Sequence, residues 1–187
     1  NPVNLGTGMC ASLMLHLPAL KDEGGMLRIS NSLSKLGLVL RGIYGSGTEP
    51  KGAMYQLSNQ VTLGLSEQEA IANLESIAMQ LIAQERAARK ELAQSLNIQD
   101  TVSRSLGILQ SARMMTNDEF MSLISNVRFG VSAGLVKNID YSEINRLIVE
   151  VQPATLMLFS GKKLTASERH SLRAQRVSDV FNQIHQD

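Results

Sequence analysis

Three short stretches of the sequence carry residue types that could bind phosphate. The first, NLGTGMC at residues 4–10, places two glycines around a threonine directly before an apolar run. Glycines let backbone N–H groups approach an anion without an obstructing Cβ, and a threonine hydroxyl can add a donor. The stretch is neither GxxxxGK[ST] nor GxGxxG, so by itself it fits an ordinary turn at the start of a strand better than a phosphate site.

The other two stretches contain arginines. In VLRGIYGSGTE, Arg41 lies near the end of a predicted strand, where a guanidinium can neutralise phosphate oxygens while the glycine-rich loop closes over a substrate. In SERHSLRAQR, Arg169 and Arg173 are four residues apart on one helix face, with Arg176 a further turn along. Stacked arginines suit bidentate capture of a phosphate or carboxylate. Taken alone, each stretch also fits a solvated arginine on the surface.

The residues before Ser66 predict a mixture of strands and a helix. Alternating apolar residues predict strands over 11–17, 38–44 and 53–64. Pro18 should end the first strand, and Gly37 should end a helix over 26–37. We expect a mobile loop over the glycine-rich residues 45–52 and a turn at Ser58–Asn59.

The residues from Ser66 onward predict helices. The start signal of a capping box, Ser, Thr or Asp followed three residues later by Glu, occurs at Ser66, Thr116, Asp140 and Thr165. The sequence therefore predicts an α+β protein with two domains, 1–90 and 91–187, joined by the long helix that starts at Ser66.

Composition narrows the class of protein. The 187 residues are 43% hydrophobic with a net charge of +1, which allows a real core but gives no strong electrostatic footprint for nucleic acid or anionic lipid. The single cysteine excludes a disulfide within the chain, and no His/Cys cluster indicates zinc. The apolar runs are too short to cross a bilayer, and no signal peptide is visible. We expect a cytoplasmic protein without a metal site, a direct nucleic-acid partner or a membrane contact.

Several strings, in this order and spacing, resemble one family. The chain resembles the ATP:guanido phosphotransferases, or phosphagen kinases, in the string NPVNLGTGMCAS. Five further strings resemble the bacterial protein arginine kinase branch of that family: MLHLPAL, RGIYG, QLSNQVTLG, IAQERAAR and RSLGILQSAR. The resemblance implies the back half of an antiparallel-sheet catalytic domain followed by an all-helical C-terminal domain. It also implies a kinase that moves the γ-phosphoryl of MgATP onto arginine side chains of proteins.

The resemblance assigns two sets of site residues. Those expected to line the nucleotide are Ala11, Ser12, Leu13, Met14, Arg41, Gly42, Ile43, Tyr44, Gly45 and Ser46. The family's phosphoarginine-receptor motif, Arg-Asp-x-x-Arg-Ala, falls on Arg169, His170, Arg173 and Ala174.

Four positions depart from the family pattern. Asn1 stands where the family has its reactive cysteine, and Cys10 where it has an arginine on the nucleotide phosphates. Ser46 replaces the loop glutamate, and His170 replaces the receptor aspartate. Losing a phosphate-binding guanidinium can cost roughly 10³-fold or more in rate, so we expect the chain by itself to be a poor kinase without a confident catalytic residue. Glu49 could substitute for the missing carboxylate only if the loop shifted.

The resemblance also implies partners. Family members form homodimers, mark arginine-containing protein substrates for a Clp-type protease, and act on a heat-shock repressor with help from a zinc-containing activator protein. Because the first residue is Asn rather than Met, we expect the chain to be a portion of a longer protein.

Two other functions stay open. The chain could be a degenerate, non-catalytic module that binds phosphoarginine, or its helical part could serve for dimerisation through the apolar residues of 98–159. A hydrolase with Cys10 as nucleophile ranks lower, because His16 cannot be placed as its base and a lone cysteine is usually buried packing. His185, near the terminus, is expected to be solvated.

Overall fold

A computed structural model describes residues 6–43, 50–61 and 64–183. The chain divides into two compact units, residues 1–92 and 93–187. Parts of several predicted features lie outside the described residues: Asn1, residues 4–5 of the first stretch, residues 44–49, residues 62–63 of the third predicted strand, and His185. The described part is α+β, with a small antiparallel sheet in the first unit and a helical second unit.

The sheet of the first unit has three strands within the described residues, in the order β1-β3-β2. Its strands are β1 Ser12–His16, β2 Leu38–Gly42 and β3 Met54–Asn59, and both pairings are antiparallel. The turn predicted at Ser58–Asn59 is wrong. Ser58 pairs with Ser12 on one side and Val39 on the other, and Asn59 pairs with Leu38, because β3 is the central strand and its neighbours satisfy its backbone to the end.

The described residues of this unit also form three helices: α1 Pro18–Asp22, α2 Met26–Lys35 and α3 Glu67–Leu92. A short 3-10 turn, Lys51–Ala53, precedes β3. Gly37 follows α2 with φ of 71°, the left-handed conformation that commonly ends a helix, as predicted. The core of the unit is formed by apolar side chains of β1, β3 and α3, among them Leu15, Leu57, Leu74, Ala78 and Leu81.

The second unit is helical over its described residues. Its helices are α4 Leu96–Ser111, α5 Asn117–Ser132, α6 Tyr141–Glu150, α7 Pro153–Ser160 and α8 Ala166–Gln183. The predicted start signals act as caps: the side chain of Thr116 accepts the N–H of Glu119, and Asp140 caps α6 by accepting the N–H of Ser142.

The cap of α8 also makes stability depend on pH. The backbone N–H and the hydroxyl of Thr165 donate to Glu168 at 2.8 and 2.9 Å. These bonds, together with Lys162, lower the pKa of Glu168. Because the folded pKa is depressed, the contribution of this cap is present at neutral pH and is lost as pH falls through the folded value.

Two helices of the second unit approach closely at Gly130 of α5. A Cβ there would lie 2.5 Å from Val102 Cγ1 and 2.9 Å from Val136 Cγ2. Valine side chains are stiff, so we expect Gly130→Ala to lower the free energy of unfolding by about 1–3 kcal/mol through overpacking, measured by urea denaturation. The control is Gly107→Ala in α4, whose Cβ would meet nothing within 4 Å and which should gain up to about 1 kcal/mol from helix propensity. A Gly130→Ala protein as stable as the control would contradict the close packing.

Within the described ranges, none of the helices combines the length and the apolarity needed to cross a membrane.

Candidate functional site

One face of the sheet is open and carries part of the predicted nucleotide site. Directly opposed residues of antiparallel strands share a face, and the register aligns Met14, Gln56 and Arg41 in one row across the three strands. Ser12 and Ser58 begin the next row on that face. Met14 and Arg41 are exposed and, two strand spacings apart, lie about 10 Å from each other. The fold thus brings a cation, an apolar side chain and two hydroxyls to one surface.

The other predicted lining residues are placed differently or are not described. Leu13 pairs with Leu57 on the opposite side of the sheet, where Leu57 is buried and Leu13 itself is 37% exposed. Gly42 lies against Pro50, where a Cβ would be 2.7 Å from the proline nitrogen, so a larger residue does not fit. Ile43 is tied into the sheet by its N–H, which donates to the Met54 carbonyl at 3.0 Å. Tyr44, Gly45 and Ser46 lie outside the described residues.

The glycine-threonine-glycine stretch forms a turn just before β1. Gly6 and Gly8 have φ of 81° and 63°, conformations that favour glycine, and the Thr7 hydroxyl accepts the N–H of Met9 at 3.4 Å. Cys10 follows and is exposed. The expectation of a buried, packing cysteine is therefore wrong, because the turn leaves this side chain outside the core.

Asn59 holds the end of this turn, which the sequence did not indicate. Its side chain is buried, and its Oδ1 accepts the N–H of Ala11 at 2.7 Å while its Nδ2 donates to the Met9 carbonyl at 3.0 Å. The backbone N–H of Asn59 also donates to the Ala11 carbonyl at 3.3 Å. One side chain thus fixes the backbone on both sides of Cys10. The available signal was the alternation along the strand, which puts the polar Asn59 on the same face as the apolar Tyr55 and Leu57.

A buried ion pair anchors the other end of β1. Glu85 of α3, 3% exposed, accepts the N–H groups of Ala19 and Leu20 at 3.1 and 3.0 Å, which satisfies the start of α1. Arg89 donates to Glu85 at 2.5 Å and to the His16 carbonyl at 2.6 Å. Glu85 and Arg89 belong to the IAQERAAR string, whose role the sequence did not reveal.

The ion pair also affects its neighbours. Burial, and then the negative charge of Glu85, raises the pKa of Tyr55 to about 12. Arg89 Nη2 lies 3.2 Å from His16 Nδ1, and because a guanidinium only donates, this nitrogen is the acceptor. His16 is therefore engaged with Arg89, which gives no support to a role as a base for Cys10.

The open face matches the needs of a nucleotide in part. Arg41 is a cation of the kind that pairs with phosphate oxygens, Met14 offers apolar surface, and the turn before β1 is exposed. Cys10 supplies neither positive charge nor the fork of donors that a guanidinium would give. Among the described residues, no group of three or more His, Cys, Asp or Glu side chains could hold a metal ion.

The arginines predicted to bind phosphoarginine differ in burial. Arg169 is half-buried and donates from Nη1 to the Leu164 carbonyl at 2.7 Å. Arg173 is only 1% exposed, and its Nε and Nη1 donate to the carbonyls of Val151 and Met115 at 3.0 and 2.9 Å. These two bonds join α8 to the residue that follows α6 and to the residue just before the N-cap of α5. Arg173 therefore has a structural role whatever else it does.

The remaining motif residues lie beside these arginines. His170 is half-buried and its carbonyl accepts the N–H of Met115 at 3.1 Å, whereas Ala174 is buried. Burial, and then the positive charge of Arg169, lowers the pKa of Arg173. The negative charge of Asp118 acts in the opposite direction and partly offsets this lowering. The two guanidinium groups are thus near enough to repel each other, an arrangement that an anion would relieve.

Two protein-family models match consecutive parts of the chain. Residues 1–88 match the model described as ATP:guanido phosphotransferase, C-terminal catalytic domain. Residues 95–187 match the model described as Protein-arginine kinase McsB C-terminal domain.

Curated relatives are similar over nearly all of the chain. Proteins named protein-arginine kinase from Caldanaerobacter subterraneus subsp. tengcongensis and Clostridium novyi are 47% and 44% identical over 97% and 98% of the chain. The one from Symbiobacterium thermophilum is 49% identical over 94% of the chain. The matched regions are 54%, 54% and 50% of those proteins, so the chain spans about half the length of the curated relatives it matches. With both of its parts matched in order, the chain belongs to the ATP:guanido phosphotransferase family, in the branch of the protein-arginine kinases.

Proposed function

We propose that the chain is the C-terminal portion of a kinase that transfers the γ-phosphoryl of MgATP to arginine side chains of proteins. The observation that carries this proposal is the pair of consecutive family matches, which cover residues 1–88 and 95–187. The open face with Ser12, Met14 and Arg41 is consistent with it, since a nucleotide needs both apolar surface and a cation.

The described residues would contribute binding and charge neutralisation. MgATP supplies the phosphoryl group, and phosphoryl transfer depends mainly on holding the reactants in line and neutralising the phosphate oxygens. Arg41 would pair with those oxygens, Met14 would contact an apolar part of the nucleotide, and the turn before Cys10 would offer backbone N–H groups. No described residue is assigned the role of catalytic base.

Finer parts of the proposal rest on the resemblance alone. The protein would work in the cytoplasm as a homodimer in the stress response, marking arginine-containing substrates for a Clp-type protease. Its other partners would be a heat-shock repressor and a zinc-containing activator protein.

The test is phosphoarginine formation by the complete gene product that carries this chain. The protein is incubated with MgATP and an arginine-rich protein, and phosphoarginine is detected by mass spectrometry under neutral conditions, because the P–N bond is labile in acid. A folded protein that forms no phosphoarginine on itself or on the substrate would refute the kinase proposal.

We further propose that α8 carries an allosteric phosphoarginine site in which the half-buried Arg169 is the more accessible of the two arginine ligands. Arg169→Ala should weaken phosphoarginine binding by about tenfold to a hundredfold, the effect of one charge-assisted hydrogen bond, measured by calorimetry. The melting temperature should change little, since Arg169 is half-buried and makes one hydrogen bond to a carbonyl. Arg104→Ala, an exposed arginine of α4 paired with Asp100, is the matched control and should bind normally. Equal binding by both variants would exclude Arg169 as a ligand.

A second candidate function is a non-catalytic module that binds phosphoarginine. Cys10 favours it, because the exposed position next to the turn lacks the charge that nucleotide phosphates need. This module would bind phosphoarginine without forming it and would bind MgATP weakly. Equal affinity for phosphoarginine and unmodified arginine would remove this alternative.

A further inference from the structure

We infer that Asn59 is the positioning residue of the candidate phosphate turn: it fixes the backbone on both sides of residue 10 and thereby determines where that side chain is presented. The inference rests on the proposed nucleotide site and adds a residue outside the lining residues. It starts from two bonds of one buried side chain, 2.7 Å to the Ala11 N–H and 3.0 Å to the Met9 carbonyl.

The chemistry of these bonds requires a carboxamide. One partner is a backbone donor and the other a backbone acceptor, so the side chain must both accept and donate at nearly the same place. This also fixes which terminal atom of Asn59 is oxygen and which is nitrogen. An aspartate would keep the acceptor for Ala11 but would turn a second acceptor towards the Met9 carbonyl.

The location of Asn59 makes it a rigid support. It ends β3, the central strand, and lies opposite Leu38 of β2. The next residue, Gln60, donates its N–H to the Gly37 carbonyl at 2.8 Å, which ties the strand end to β2. The side chain of Asn59 therefore links the turn to the hydrogen-bonded sheet. This restricts the backbone conformation of the turn, to which its glycines would otherwise give wide freedom.

The support acts where the candidate site needs it. The bond from the Asn59 N–H to the Ala11 carbonyl extends the pairing of β1 and β3 by one residue beyond Ser12. Side chains alternate along an extended strand, so residue 10 belongs to the same face as Ser12 and Arg41. A cationic side chain at position 10 would thus be held on the open face.

The test is a double-mutant cycle on MgATP affinity in the complete gene product. Asn59→Asp is measured by calorimetry with Cys10 present and again in the Cys10→Arg background. If Asn59 positions residue 10, the substitution should weaken MgATP binding by about tenfold in the Cys10→Arg background and by less than about twofold otherwise. A residue that only supports folding would reduce affinity equally in both backgrounds, and that result would overturn the inference.

A second measurement does not depend on nucleotide binding. Hydrogen exchange of the Ala11 amide should be faster by about tenfold or more in Asn59→Leu, which removes both bonds. Asn126→Asp, which alters a carboxamide that donates to Ser105 in the second unit, is the matched control and should leave Ala11 exchange unchanged. Should Cys10→Arg fail to bind MgATP at all, the nucleotide site is refuted, and Ala11 exchange then decides the inference: unchanged exchange in Asn59→Leu overturns it.

Discussion

Cys10→Arg is expected to raise the MgATP affinity of the complete gene product by about tenfold to a hundredfold, the effect of a new charge-assisted contact. The physical reason is that Cys10 is exposed between the turn and β1, the strand whose Ser12 and Met14 lie on the open face. A guanidinium there would add to Arg41 a second cation for phosphate oxygens. Affinity is measured by calorimetry with MgATP.

The control for this substitution separates charge from size. Cys10→Met introduces a long side chain, as Cys10→Arg does, but no charge. It should leave MgATP affinity within about twofold of that of the unchanged protein. The gain should shrink as salt is added, since part of it is electrostatic. If Cys10→Met and Cys10→Arg bind MgATP equally well, position 10 does not contact the phosphates.

Glu85→Ala is expected to destabilise the first unit by about 3–5 kcal/mol, because it breaks a buried ion pair and leaves the remaining charge without its partner. The substitution also removes the acceptor of two N–H groups at the start of α1, those of Ala19 and Leu20. Arg89, whose side chain is 16% exposed, would lose its carboxylate. Urea denaturation followed by circular dichroism gives the free energy of unfolding.

A matched control lies on the same helix. Glu75 of α3 is exposed, and Glu75→Ala should change the free energy of unfolding by less than about 0.5 kcal/mol. Glu85→Gln keeps an acceptor and similar volume, so its cost should fall between those of the two alanine variants. If the free energy of unfolding of Glu85→Ala is less than about 1 kcal/mol below that of Glu75→Ala, the ion pair contributes little to the stability of the fold.

Local features of the fold could be predicted from the sequence because their partners are close along the chain. The caps at Thr116 and Thr165 involve residues three positions apart, and these helices begin where the pattern indicates. The strands and α2 follow from hydrophobic periodicity in the same way. The exposed position of Cys10 was missed because exposure depends on what packs around a residue.

The supports of the candidate site could not be predicted, since their partners are far away in sequence. Asn59 is 48 residues from Ala11, and Glu85 is 66 residues from Ala19. Propensity and periodicity contain no term for such pairs, and only the strand order brings them together. The same holds for Arg173, whose acceptor on Met115 lies 58 residues away, so its structural hydrogen bonds could not be inferred from its spacing on the helix.

The burial of Arg173 has a consequence for how such a protein can diverge. A lysine at position 173 has no fork with which to reach the carbonyls of both Val151 and Met115, so substitution at this position should cost folded protein. Substitution of the half-buried His170 should cost much less folded protein. With the proposed phosphoarginine site, a change at position 170 would therefore alter ligand recognition while the helical unit stays folded.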